Sequence, residues 1–83
     1  MSEKRPTREE IAEENRKIRR LRFMVDFAIS LIGQGDLSRE EALRIFMGVK
    51  NLALELFPGK EVVFEIVYSP RFRRAIAEKY GVH

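Results

Sequence analysis

The stretch "FMVDFAISLI", residues 23–32, decides the fold, because eight of its ten residues are apolar and only Asp26 and Ser30 interrupt them. No helix-breaking residue occurs between Arg8 and Ile32, so the run predicts the interior of a long helix. Apolar residues at a spacing of three and four form one stripe, which we expect to face a second helix: Ile11, Ile18, Leu21, Val25, Ala28 and Ile32. The polar strip beside it is narrow, so this helix needs cover from more than one direction.

The helix boundaries follow from two similar segments, "TREEIAEE" and "SREEALRI". Thr7 and Ser38 are each followed three residues later by glutamate, which is typical of a capping box at a helix start. We predict helix 1 over residues 7–33, with Gly33 as a left-handed C-cap, and helix 2 over residues 38–57, where "PG" follows. The short link between them predicts an antiparallel hairpin.

The carboxy-terminal third is ambiguous in part. Val, Phe, Ile and Tyr in "KEVVFEIVYSP" favour a strand, but a single strand has no partner except in another chain. We therefore favour a short helix over residues 60–68. Ser69 and Pro70 then start a last helix over residues 70–80, ended by Gly81. With a disordered tail over residues 1–6, the prediction is one all-α domain over residues 1–83.

The apolar content exceeds what one copy of such a hairpin can cover. A chain of 83 residues buries little more than half of its unfolded surface, and 45% of this sequence is hydrophobic. We predict a homodimer in which two hairpins form a four-helix-bundle-like assembly, with the carboxy-terminal helices packed at its ends. The predicted interface residues are Met24, Phe27, Leu31, Leu43, Phe46, Met47 and Leu54. The alternative is a monomer whose last two helices cover the hairpin.

The sequence does not indicate a metal site, a cofactor site or an active site. The chain has no cysteine and one histidine, His83, so thiolate and histidine metal sites are not expected, and we predict no cofactor. Four glutamates in "REEIAEE" are better explained as favourable charge at a helix start than as a cation site. Asp26 follows Arg22 by one helical turn, which favours a simple ion pair over a catalytic base. No catalytic motif is present, so we do not expect an enzyme.

The two ends of the chain carry an excess of basic residues, and the middle carries an excess of acidic ones. Residues 1–22 carry eight basic and five acidic groups, residues 23–68 carry four and seven, and residues 69–83 carry four and one. Two clusters, "RKIRRLR" and "RFRRAIAEK", supply the candidate side chains for an anionic partner. These are Arg19, Arg20, Arg22, Arg71, Arg73 and Arg74.

The second cluster breaks a local rule, because cations at the amino end of a helix oppose its dipole. Three explanations remain open. The arginines pair with acidic residues of the middle segment or of a partner chain, for which the candidates are Glu55, Glu61, Glu65, Glu9 and Glu13. They bind nucleic-acid phosphates or an acidic protein. In the third explanation, residues 60–80 form one kinked helix. The arginines then lie in the middle of a helix and do not oppose its dipole.

From these features we predict a non-enzymatic, homodimeric helical module for protein–protein interaction. A small nucleic-acid-associated protein that uses the arginine clusters is the alternative. The amino terminus is polar and the longest apolar run is too short to span a bilayer. We therefore expect a cytoplasmic protein with no membrane contact.

Overall fold

The four helices of the chain are seen in a computed structural model that describes residues 5–81. They are α1 (Arg8–Gln34), α2 (Arg39–Leu56), α3 (Glu61–Val67) and α4 (Ser69–Tyr80). Residues 5–81 contain no strand, so the all-α prediction is confirmed and the ambiguous segment is a helix. Residues 1–4 of the predicted tail, and His83, lie outside the described residues.

Both predicted capping boxes form. Thr7 Oγ1 accepts a hydrogen bond from the Glu10 amide at 3.0 Å, and the Glu10 carboxylate accepts one from the Thr7 amide at 2.8 Å. Ser38 and Glu41 repeat the arrangement at 3.1 and 2.8 Å. These bonds satisfy amides that would otherwise lack partners in the first turn, which fixes where α1 and α2 begin.

The carboxyl end of α1 differs from the prediction. The helix continues through Gly33, and the cap is Gly35 with φ −79° and ψ 167°, so no left-handed residue ends it. The Gly35 amide donates to the Leu31 carbonyl at 2.7 Å. A Cβ on Gly35 would lie 2.5 Å from that same oxygen. Glycine is therefore needed here for close approach to the backbone, not for its φ angle.

Alanine substitutions at these two glycines should have opposite effects. Gly33 is helical, and a methyl group added there would meet no other atom within 4 Å, so Gly33→Ala should stabilise the protein by about 0.5–1 kcal/mol. Gly35→Ala should destabilise it by about 1–3 kcal/mol, because the backbone must shift. Urea unfolding followed by circular dichroism, at one protein concentration, measures both. Equal effects of the two changes would contradict the observed helix end.

The core is formed where α4 lies against both arms of the hairpin. α1 packs on α2 and α4, while α3 packs on α2 and α4. Phe72 of α4 is fully buried and stacks on Phe46 of α2, with ring centroids 4.7 Å apart. Around this pair lie the other buried apolar residues, Leu21, Val25, Ala28, Ile32, Ala42, Val49, Ala53, Phe64 and Ile76. The expectation that the last helices sit at the ends of the bundle is wrong for α4, which runs along the hairpin.

The carboxyl end of α4 is held at the turn of the hairpin. The Tyr80 hydroxyl donates to the Leu37 carbonyl at 2.6 Å, and the Lys79 ammonium donates to the Gly35 carbonyl. Carbonyl groups in the link between α1 and α2 thus gain partners from α4. This contact orients α4 along the hairpin.

The first turns of α1 extend beyond the other helices, and with them the molecule measures 55 × 20 × 16 Å. Residues 8–16 are exposed throughout. Ile11 is 48% exposed, so the prediction that it faces α2 is wrong. The reason is length, since α1 has 27 residues and α2 has 18.

One residue, Tyr68, separates α3 from α4. Tyr68 caps both helices in a helical conformation, φ −108° and ψ −37°, and its carbonyl accepts from the Arg71 and Phe72 amides. Ser69 is therefore not the N-cap that the sequence predicts. Its side chain is fully buried, and its hydroxyl has no hydrogen-bond partner among residues 5–81. The predicted helices over residues 60–68 and 70–80 agree with α3 and α4 to within one residue at each end.

Candidate interaction surfaces

The seven residues predicted to form a dimer interface have very different environments. Phe46 lies in the chain's own core against Phe72. Met24 and Leu43 are partly buried against that core. Leu31 and Leu54 are also half-buried. Phe27 and Met47 are the exposed members, at 58% and 51%.

The exposed members do not lie on one surface. Phe27 follows buried Val25 by two residues, which places it on the side of α1 away from the core. Met47 lines a shallow depression with Val62 and Ile66, on the flank of α2 that faces α3. The predicted set therefore divides between two surfaces. Docking of α4 accounts for the division, because Phe72 and Ile76 of that helix occupy the hairpin side that we assigned to a partner.

Among the helices of residues 5–81, α3 has the most exposed large apolar side chains, and the sequence pattern did not lead us to select it. Of the five apolar residues in "EVVFEIV", only Phe64 is buried. The other four form the α3 ridge, and they are exposed at 69% (Val62), 50% (Val63), 69% (Ile66) and 50% (Val67). The signal was present in the sequence, since a helix of seven residues with five apolar ones is apolar around most of its circumference.

An apolar groove of about 290 Å³ runs beside this ridge. It lies between α1, the end of α2 and α3. Its lining includes Ile18, Leu54, Phe57, Val63, Phe64 and Tyr68. Ridge and groove thus share one side of the molecule, and Val63 belongs to both.

A charged network lies on the other side of the ridge. The Lys50 ammonium contacts the Glu65 carboxylate at 2.8 Å and the Glu61 carboxylate at 3.4 Å, and Arg73 contacts Glu65 at 3.0 Å. The hydrogen bond between Lys50 and Glu65 raises the pKa of Lys50 and lowers the pKa of Glu65. Because the pKa of Glu65 is lower in the folded chain than its ordinary value, this carboxylate stabilises the fold at a pH above that ordinary value. The contribution is lost as the pH falls through the lowered pKa. The network therefore links α3 to α2 near neutral pH.

The arginines of α4 are mostly engaged within the chain. Arg71 contacts Asp26 of α1 at 2.7 Å, so Asp26 pairs across helices and not with Arg22 as predicted. Arg73 contacts Glu65, one of the acidic residues considered for this role. Arg74 is exposed, and it makes no ion pair with any residue of the described range. Two of the three candidates for an anionic partner thus already have carboxylate partners.

The arginines of α1 are different. Arg19, Arg20 and Arg22 are exposed, and within residues 5–81 none of them has an ion-pair partner. Close to them, Phe23 and Phe27 stack on each other at the surface, with centroids 6.1 Å apart and planes 9° apart. Phe23 is 70% exposed.

A metal centre is not seen in the described part of the chain, where no group of three or more His, Asp or Glu side chains converges. None of the helices in residues 5–81 is long and apolar enough to cross a membrane. No protein-family model matches the sequence, and neither a curated protein nor a solved structure gives a significant match. Function must therefore be argued from the surfaces.

Proposed function

We propose that this protein is a non-enzymatic helical interaction module that acts as a homodimer, with self-association through the α3 ridge. The observation that carries the proposal is the exposure of four β-branched apolar side chains on one short helix. Complete burial of such a side chain contributes about 1.5–3 kcal/mol relative to full exposure, so each of these half- to two-thirds-exposed groups has about 1–2 kcal/mol to gain.

A second copy is a suitable occupant because ridge and groove are adjacent. A two-fold axis repeats the same patch on both chains, so each chain must supply a projection and a recess. The α3 ridge is the projection, and the groove lined by Leu54, Phe57 and Tyr68 is the recess. Packing ridges into grooves is the usual way in which helices associate.

The charges beside the ridge are also compatible with self-association. Lys50 and Arg73 stand beside Glu61 and Glu65, so the network has two groups of each sign. Two copies of a charged network whose charges balance do not repel each other, whereas two copies of a strongly basic or strongly acidic surface would oppose a symmetric contact. The charged network therefore causes no net repulsion between two chains that bury their α3 ridges against each other.

The variant Ile66→Glu tests this proposal. It places a charge at the centre of the ridge, where contact with a partner would remove water from the carboxylate, so we expect the dimer dissociation constant to rise at least about 100-fold. Sedimentation velocity across a concentration series measures the change.

Phe23→Glu is the matched control. It makes the same change in charge at a side chain that is just as exposed, on a part of α1 that does not line the groove. We expect this variant to associate like the parent protein. Loss of association in both variants, or in neither, would contradict an interface at α3.

The absence of catalytic activity and the cytoplasmic location inferred from the sequence stay predictions. The nucleic-acid alternative loses two of its arginines to Asp26 and Glu65. Its remaining basis is the arginine cluster of α1.

A further inference from the structure

One face of α1 combines unpaired cations with exposed aromatic rings. Arg16, Arg20, Phe23 and Phe27 follow one another at spacings of four, three and four residues, so they share one side of the helix. Arg19, three residues after Arg16 and four before Phe23, lies on the same side. All five are exposed. We call this set the basic–aromatic face, and it extends over about 16 Å at 1.5 Å per residue.

The cations of this face are available to a ligand. Arg19 and Arg20 have no ion-pair partner within residues 5–81, and Arg16 makes only an exposed contact of 3.6 Å with Glu13. Such exposed pairs contribute little and are readily exchanged. Lys17, by contrast, lies over the ring of Phe57, the C-cap residue of α2, 6.0 Å from its centroid, and is directed away from this face.

The aromatic rings are unusual for a surface that is otherwise charged. Phe23 and Phe27 are 70% and 58% exposed, yet they have nearly parallel planes. Neither ring contributes to the chain's own core. Flat apolar rings one to two helical turns from guanidinium groups without ion-pair partners are the combination that binds unpaired nucleobases and their phosphates.

We infer that the basic–aromatic face binds single-stranded nucleic acid, with Arg16, Arg19 and Arg20 on phosphates and the two phenylalanines stacked on bases. A duplex is a poorer ligand because its bases are already stacked. A lipid surface is a poorer one because an interfacial helix keeps its cations at the edges of a broad apolar face, and here the three cations lie in line with only two rings. The inference does not depend on self-association, since one chain supplies the whole face.

Three labelled probes test the inference by fluorescence anisotropy: a thymidine 12-mer, a 12-mer of abasic sites, and a 12-base-pair duplex. The abasic strand keeps the phosphates and removes the bases. We expect the thymidine strand to bind at least about fivefold more tightly than either of the other two. With three phosphate contacts, log K should fall with log salt with a slope of about −2. Equal affinity for the thymidine and abasic strands would overturn the stacking role and with it the inference.

Two double variants assign the residues. Arg19→Gln/Arg20→Gln should weaken binding at least about tenfold and reduce the salt slope by about 1.4. Phe23→Ala/Phe27→Ala should weaken binding of the thymidine strand at least about fivefold, leave the salt slope unchanged, and remove the preference over the abasic strand.

The matched control is Arg39→Gln/Arg44→Gln, which removes two exposed arginines from α2. It should change affinity less than about twofold. An equal loss in this control would show general attraction to a basic protein and overturn the assignment. Tighter binding to phosphatidylserine vesicles than to the thymidine strand, with loss in the phenylalanine variant, would identify a membrane ligand and overturn it too.

Discussion

The variant Phe72→Ala is expected to lose about 3–5 kcal/mol of folding free energy. Phe72 is fully buried, and its ring stacks on Phe46 at 4.7 Å, so truncation leaves a cavity between α2 and α4. The folding free energy of a small domain is only about 5–15 kcal/mol, so this loss removes a large part of it and should lower the unfolding temperature by more than about 10 °C. Thermal unfolding followed by circular dichroism measures it.

Phe23→Ala is the control for this prediction, because it is the same truncation at a ring that is 70% exposed. We expect a change of less than about 1 kcal/mol, since exposed substitutions away from special features have small effects. Similar losses in the two variants would mean that α4 does not insert Phe72 into the hairpin.

The variant Val25→Asp should be destabilised by about 4 kcal/mol or more. Val25 is fully buried at the contact of α1 with its neighbours, and aspartate has a similar volume, so the loss comes from burial of a carboxyl group without a partner. Urea unfolding of the variant, or failure to recover a helical spectrum, is the measurement.

Asp26→Val is the matched change at the next residue of the chain. Asp26 is exposed, and its pair with Arg71 is on the surface, so the loss should not exceed about 1 kcal/mol. The two substitutions exchange the same residue types at neighbouring positions, and only the rotation of α1 distinguishes them. A larger loss for Asp26→Val than for Val25→Asp would show that α1 has another face toward the core.

The helices themselves were predictable because their signals are local. The capping boxes at Thr7 and Ser38 fix the starts of α1 and α2 through contacts three residues apart. Gly81, with φ 88°, ends α4 where the sequence placed the end. The end of α1 was missed because Gly33 and Gly35 are both glycines, and only the approach of Gly35 to the Leu31 carbonyl distinguishes them.

The covering of each apolar face was not predictable in the same way. A periodic pattern shows that Phe46 and Phe27 are apolar, but the neighbour that covers each depends on how α4 docks. That docking depends on contacts between distant parts of the chain, such as Phe46 with Phe72, and Arg71 with Asp26. Phe46 was therefore assigned to a partner although α4 covers it.

The candidate surfaces could not be predicted for the same reason, because they too depend on contacts between distant parts of the chain. The sequence predicted α3 only as a short connecting helix, and its exposed ridge became evident when Phe64 proved to be its one buried residue. The arginines of α1 and α4 were both candidates for an anionic partner in the sequence. Ion pairs with Asp26 and Glu65 separate them, and the first of these joins residues 45 positions apart.

Sedimentation equilibrium of the unmodified protein tests the central claim most directly. Over a range of about 1–200 μM, a dimer held by four partly exposed apolar side chains per chain should give an average mass that rises from the 9.8 kDa of one chain toward twice that value. A constant mass of 9.8 kDa over the whole range would contradict self-association through α3.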